Sequence, residues 1–228
     1  MLVLFDIDGT MITSEGAGLV AMLDAMHEIV PGHTFSFEGI PVAGRLDTLI
    51  WRDLLARHGM DHDDALHGRF RERYGHHLQR RLGVTHTARA LPGVIDLIGA
   101  LAREPHVTLG ILTGNYEHTG RLKVERAGIP TAQFAANAWA DDGLSRRALT
   151  PVAMRRCSEG RGREISPHDV IVIGDTPHDI DCAHAHGCRA LAVATGGSSA
   201  DELRAHRADL VVDDLSDSEA LARWILGR

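Results

Sequence analysis

A chain of 228 residues, 44% hydrophobic and 24% charged, carries enough apolar material for one large domain or two unequal ones without disulfide support. That composition excludes disorder, collagen and coiled coil. The net charge of −7, from 31 acidic and 24 basic side chains, repels phosphate backbones and argues against nucleic acid as a partner.

The first predicted strand covers Leu2 to Asp8 and ends Phe5-Asp6-Ile7-Asp8-Gly9-Thr10. Side chains two apart on a strand share a face, so Asp6 and Asp8 are expected to point the same way. Two carboxylates so placed repel unless a cation lies between them or one is protonated. The pair therefore suits a Mg2+ site with oxygen ligands, or a nucleophile beside a general acid. An ordinary strand-end turn, where Asp and Gly are common, is the plain alternative.

From about Glu15 to Gly83 no strand is predicted, only helical patterns. Leu46, Leu49, Ile50, Leu54 and Leu55 form one helical stripe, and a second pattern runs from Asp63 to Leu82. The segment is flanked by Ser14-Glu15-Gly16-Ala17-Gly18 and by the Leu91-Pro92-Gly93 turn, both suited to hinges. It reads as a helical insert after the first strand.

Beyond it strand and helix alternate. Helical spacing over 93–103 precedes a strand at Val107 to Thr113, which ends Leu112-Thr113-Gly114-Asn115 and enters a helix over 115–127. A Thr hydroxyl, a Gly and free helix-start amides can cradle an anion, unless Asn115 is only an N-cap. A weaker run covers Gln133 to Ala138, and a helix is predicted over 149–157.

The strand Val170 to Asp175 leads into Gly174-Asp175-Thr176-Pro177-His178-Asp179 and a helix over 177–186. Thr176 has the signature of an N-cap, with Pro177 at the first helical position and Asp179 as the acid of a capping box. Asp175 has no such structural role, which makes it the stronger metal-ligand candidate. Strands at Arg189 to Thr195 and Asp209 to Asp213 complete the set. Their nearly continuous apolar runs and the alternation with helices predict a doubly wound parallel sheet. Ligands bind such sheets beyond the carboxyl ends of the strands.

Three cysteines, Cys157, Cys182 and Cys188, form no CxxC pair and are read as reduced and structural. Fifteen histidines occur in loose groups without partners at metal-binding spacing, and only His178 falls beside the predicted site. No basic leader opens the chain and no apolar run approaches membrane-spanning length, so the expectation is a cytoplasmic protein without membrane partner. Of the 24 basic residues 23 are Arg; the one Lys, Lys123, is expected to face solvent from the helix after Asn115.

DIDGT, LTGN and GDTPHD, in this order and at these strand ends, resemble the first, second and fourth motifs of the haloacid dehalogenase superfamily of phosphohydrolases. The likeness extends over nearly the whole chain, including a helical cap after the first motif and the closing pattern Ala208 to Asp214. It implies a Rossmann-like core over 1–14 and 84–228 with an α-helical cap over 15–83. It also implies a mechanism. Asp6 would attack the phosphoryl group to give an aspartyl-phosphate, and Asp8 would protonate the leaving oxygen and then activate water. Mg2+ would be held by the Asp6 carboxylate, the Asp8 backbone carbonyl and Asp175, with Asp179 close by. Thr113, Gly114 and Asn115 would bind the transferring phosphoryl oxygens.

Such families place a Lys in the third motif, and this chain has none there. Arg147 is the expected replacement and Arg146 the second choice. In the cap, Ala43-Gly44-Arg45-Leu46-Asp47 resembles a specificity loop, with Arg45 placed to meet an anionic or hydroxylated distal group. Thr195-Gly196-Gly197 is expected on the opposite rim, whereas Ser199 and Glu202 read as a capping box.

The implied activity is a Mg2+-dependent phosphatase acting on a small phosphomonoester such as phosphoglycolate. Haloacid dehalogenases proper lack the second carboxylate, and phosphonoacetaldehyde hydrolases use a cap Lys that is missing here. A sugar phosphomutase of the same fold, or a non-catalytic phosphometabolite-binding module, stays open.

Overall fold

The computed structural model describes residues 1–85 and 87–228. Five short strands, β1 (Leu2–Phe5), β4 (Thr108–Ile111), β5 (Val170–Gly174), β6 (Arg189–Val193) and β7 (Leu210–Val212), form one sheet. It is parallel throughout, in the order β4-β1-β5-β6-β7. Leu2 pairs with both Thr108 and Val170, so β1 lies at the centre of the site-bearing half. Each predicted strand is present one to three residues shorter at its carboxyl end, because the chain leaves the sheet to build the loops that hold the polar groups. The weaker run at Gln133 to Ala138 is no strand. Phe134 and Ala138 each make a single parallel bridge, to Leu109 and Leu112, along the free edge of β4.

Alternation along the strands divides the apolar residues between two faces. Leu2, Leu4, Val170, Val172, Ala190 and Ala192 pack into one cluster; Val3, Phe5, Ile171, Ile173, Leu191 and Val193 pack into the other. The second cluster is sealed by α4 (Val94–Ala102) and α9 (Ser218–Leu226), which pack together. On the first face lie α6 (Leu149–Arg161), α7 (Pro177–His184) and α8 (Ala200–Ala205). The helix α5 (Glu117–Arg126) follows β4.

The first cluster continues without a break into the helices between β1 and β4: α1 (Ala17–Ile29), α2 (Asp47–Arg57) and α3 (Asp64–Thr85). The predicted stripe is realised in α2, where Ile50, Leu54 and Leu55 are buried with Trp51. Two residue pairs escaped prediction. Before and after these helices, β2 (Ile12–Thr13) and β3 (Arg89–Ala90) pair antiparallel, Ile12 with Ala90 and Thr13 with Arg89. Two-residue strands leave no readable period. The predicted core segment 84–228 includes position 86, which lies outside the described residues.

Candidate active site

Three loops at the carboxyl ends of β4, β1 and β5 meet the segment 42–47 around a cavity of about 310 Å³. Asp6, Asp8, Thr113, Asn115, Lys123, Arg146 and Asp175 all line it. The two leading acids arrive there by a different route from the expected one. β1 stops at Phe5, and the chain turns back so that Met11 N and Ile12 N donate to Ile7 O. Strand alternation therefore does not set the directions of Asp6 and Asp8. Each acid has acquired its own cation.

Asp6 lies on the Arg146 side. Its Oδ1 is 2.9 Å from Arg146 Nη2, while the same guanidinium nitrogen donates to Asp179 Oδ1 at 2.5 Å. Asp6, Asp175 and Asp179 bring carboxylate oxygens within 4.8 Å of one another, all buried. Burial raises the Asp6 carboxyl against the pull of Arg146, and Asp179 adds to the rise. Burial, with Asp179 and Asp6, raises Asp175 in the same direction. Arg146 is held more firmly protonated by Asp179 and Asp6 despite its burial.

Hard oxygen donors crowded together and buried, with their negative charges incompletely balanced, fit a divalent cation of the Mg2+ type. Asp6 Oδ1 supports the fit, being a buried oxygen that has the ion pair with Arg146 but receives no hydrogen bond of good geometry. Thr10 Oγ1 donates to Asp175 Oδ1 at 3.0 Å and fixes that carboxylate. Gly9, at φ 81°, lets the turn pass it, since a Cβ there would fall 2.5 Å from Asp175 Oδ2. Asp179 also completes the expected capping box, its Oδ2 accepting from Thr176 N and Oγ1. Both readings of that residue hold together.

Asp8 lies on the other side and its side chain takes no part in the acidic triad, leaving its backbone carbonyl as the expected contribution to a metal. Its Oδ2 accepts from Lys123 Nζ at 2.7 Å and Asn115 Nδ2 at 2.9 Å; its Oδ1 accepts from Ser14 Oγ at 3.3 Å. Burial works to raise this carboxyl, but Lys123, Asn115 and Ser14 outweigh it and hold Asp8 below the ordinary value. Asn115 is no N-cap. Tyr116 holds that position on α5, while Asn115 Nδ2 also donates to Thr113 Oγ1 and its Oδ1 accepts from Lys123.

Two expectations about cations are corrected. Arg147 does not face the site: it is exposed and makes a bidentate pair with Asp181, at 2.5 and 2.6 Å. Arg146, the second choice, is buried on Asp6 and Asp179. The reason is the 3-10 turn Arg146–Ala148, in which successive side chains point about 120° apart, so only one of two neighbours can face inward. Lys123 is not solvent-facing but 4% exposed. It belongs to the inward stripe Thr119, Gly120, Lys123 and Val124 of α5, a spacing that the sequence displayed.

The segment from the insert closes over these groups. Asp47 N donates to Gly114 O at 2.7 Å, and Asp47 Oδ2 accepts from Tyr116 N at 3.1 Å. Gly114 is required by this contact, because a Cβ would fall 1.9 Å from Arg45 O. Burial pushes the Asp47 carboxyl up to about 7 against the attraction of Lys123. Arg45 lines the cavity but pairs with Asp53 at 2.7 Å. Arg146 Nη1 reaches Gly44 O at 3.3 Å, and His178 lies against Gly44. On the far rim Gly196 and Gly197 line the cavity, and Thr195 Oγ1 donates to Gly9 O at 2.6 Å. Ser199 accepts from Glu202 N as the predicted cap. Sequence reasoning gave no role to Thr10 or Asp47, although both lie in quoted motifs, and missed Ser14 and Tyr74, which line the cavity from outside any motif.

Residues 145–218 match the HAD-hydrolase-like family. Over 221 residues the chain is 28% identical to a phosphoglycolate phosphatase of Chromobacterium violaceum, covering 94% of this chain and 93% of that protein. Among solved structures, a hydrolase from Pseudomonas syringae superposes with a TM-score of 0.68 at 22% identity, over 96% of this chain and 95% of the other. CbbY from Rhodobacter sphaeroides, in complex with xylulose 1,5-bisphosphate, superposes with a TM-score of 0.76 at 16% identity, over 95% of each chain. The chain is thus similar to haloacid dehalogenase-like hydrolases, the resemblance that its motifs carried.

Proposed function

We propose that the chain is a Mg2+-dependent phosphatase of small phosphomonoesters, working through an aspartyl-phosphate. The observation that carries this reading is the division of labour at one cavity: Asp6 among acids and Arg146, Asp8 apart from them on Lys123 and Asn115. Asp6 attacks phosphorus as the bond to the leaving oxygen breaks, and Asp8, ionised in the free site and so taking up a proton as the ester binds, supplies that proton to the leaving oxygen. Asp8 then takes a proton from water, whose oxygen displaces Asp6 and frees inorganic phosphate. Asp6, Asp175 and Asp179, with the Asp8 carbonyl, would hold Mg2+, whose charge offsets the repulsion between carboxylate and phosphate. Thr113, Gly114 and Asn115 receive the phosphoryl oxygens, with Arg146 as the third-motif cation.

In this reading residues 15–83 act as a cap over a core of 1–14 and 84–228. Segment 42–47 excludes water by its backbone bonds to the Gly114 loop. Phosphatase and phosphomutase chemistry both proceed through the same nucleophile. We take hydrolysis on the likeness to a phosphoglycolate phosphatase over nearly the whole chain. The phosphoglycolate phosphatase relative supports a small two-carbon acid as leaving group. Arg45 is the side chain to read it, by exchanging Asp53 for the substrate carboxylate. No helix of the described residues is long and apolar enough to cross a membrane.

The test is phosphate release from a panel of small monoesters, with Mg2+ and with chelator, beside Asp6→Asn. Metal-dependent release abolished in the variant is expected. Release that survives in Asp6→Asn, or none from any ester, overturns the reading.

A further inference from the structure

Arginine outnumbers lysine 23 to 1 in this chain, and the one lysine is buried beside Asp8. Lys123 Nζ donates at 2.7 Å to Asp8 Oδ2 and at 2.7 Å to Asn115 Oδ1, while Asn115 Nδ2 donates to the same Asp8 oxygen. The three side chains close a ring. Within it Asp8 Oδ2 accepts two short bonds, whereas Oδ1 has only the long one from Ser14. The Asp8 side chain remains 40% exposed against 6% for Lys123 and lines the cavity, so the carboxylate is open to it.

Arginine would not serve here. A Cβ placed on Gly18 of α1 would lie 3.0 Å from Lys123 Nζ and 3.3 Å from both its Cε and the Tyr74 hydroxyl of α3. The ammonium thus lies close against Gly18 and Tyr74, where a longer, planar guanidinium fork would have to shift its neighbours. Three tetrahedral donors on a compact head also suit a ring whose acceptors lie in different directions.

We propose that Lys123 is a positioning residue for the reaction: with Asn115 it fixes Asp8 Oδ2, so that Oδ1 is the oxygen facing the leaving group and then the attacking water. This rests on the reading of Asp8 given above. The proton passes from Oδ1 to the leaving oxygen as the phosphorus–oxygen bond breaks. It is replaced from water as the water oxygen bonds to phosphorus and the Asp6–phosphorus bond breaks. Lys123 keeps its three protons throughout.

The test uses two monoesters, p-nitrophenyl phosphate, whose phenolate leaves without a proton, and phosphoglycolate, whose alkoxide does not. Lys123→Met is expected to lower kcat for phosphoglycolate by about 100-fold or more, the usual worth of a placed general acid. The aryl ester should lose less than about tenfold in kcat, since its leaving group needs no proton. Lys123→Arg should fail to restore the alkyl ester.

Lys123→Cys alkylated with 2-bromoethylamine should restore it, because the added side chain again ends in an ammonium. The native thiols stay out of that reaction. All three lie buried away from the cavity that position 123 lines, and burial pushes Cys182 up to about 12 and Cys188 up to about 11. A Mg2+-dependent rise in melting temperature, retained in each variant, shows that the acidic triad has folded. Equal losses on both esters, no loss on either, or failure of aminoethylation to rescue overturns the proposal alone. A wild-type enzyme inactive on both esters overturns the phosphatase reading and the proposal with it.

Discussion

Arg146 and Arg147 are adjacent in sequence and opposite in environment, which makes them a matched pair for perturbation. Arg146→Met keeps much of the side-chain volume and removes the charge next to three buried carboxylates. Unit charges 2.9 Å apart attract by about 6 kcal/mol at an effective dielectric constant of ~20, and desolvation offsets much of it. Removing one partner of such a buried pair costs about 3–5 kcal/mol. For a chain of this size each kcal/mol corresponds to roughly 2–4 °C, so melting should fall by roughly 10 °C. The assay is a thermal melt at pH 7.5 with chelator, then with Mg2+. The gap should narrow with Mg2+, because the cation restores positive charge where the guanidinium was lost. Turnover should drop by about 100-fold or more, the scale for losing a preorganised charge at the reacting phosphoryl. Arg147→Met removes only an exposed pair with Asp181 and should melt and turn over as wild type. A melt of Arg146→Met within about 2 °C of wild type in chelator, on that same scale, would refute the assignment. So would equal damage in Arg147→Met.

Asp47 is an acid whose folded value, about 7, lies above its ordinary one of 3.8, so the folded state binds more protons and stability falls as pH rises between those values. Asp47→Asn keeps an acceptor for Tyr116 N; it should flatten that decline and melt several degrees above wild type at pH 8, as thermal melts across pH 4 to 8 will read. Mg2+ must displace protons from Asp6 and Asp175, both raised, so its stabilising effect should grow from pH 6 to pH 8; a shift independent of pH would count against the triad as the metal site. Asp53→Ala frees Arg45 and should lower KM for phosphoglycolate, while Arg45→Ala should raise it, both read from steady-state kinetics. Unchanged KM in both would remove Arg45 from substrate recognition.

The sheet was legible because its strands are buried on both faces and so appear as unbroken apolar runs, bounded by the polar residues that build the site. Asp6, Asp175 and Thr113 could be picked out for the same reason: a polar side chain directly after such a run has left the core at the end where ligands bind. What escaped was orientation. A sequence does not show which of Arg146 and Arg147 a 3-10 turn will direct inward. Nor does it show that β1 stops before Asp6 and hands both acids to a turn. Lys123 was misjudged on general grounds, since charged helix residues are mostly exposed. Its place on the inward stripe of α5 was the contrary signal. The β2–β3 pair and the Asp47 contacts are tertiary matters with no local pattern behind them.

The small β2–β3 ribbon bears on how the chain assembles itself. Pairing Leu2 with Thr108 closes a loop of about 106 residues if the intervening helices are unformed. Once α1 and α3 have packed and Thr13 lies opposite Arg89, the effective loop shrinks to about 30 residues, lowering the closure entropy by about 1 kcal/mol. The insert that separates the first two strands of the sheet in sequence thus returns the chain to its starting point. Folding the central strand need not wait for a long, unstructured detour.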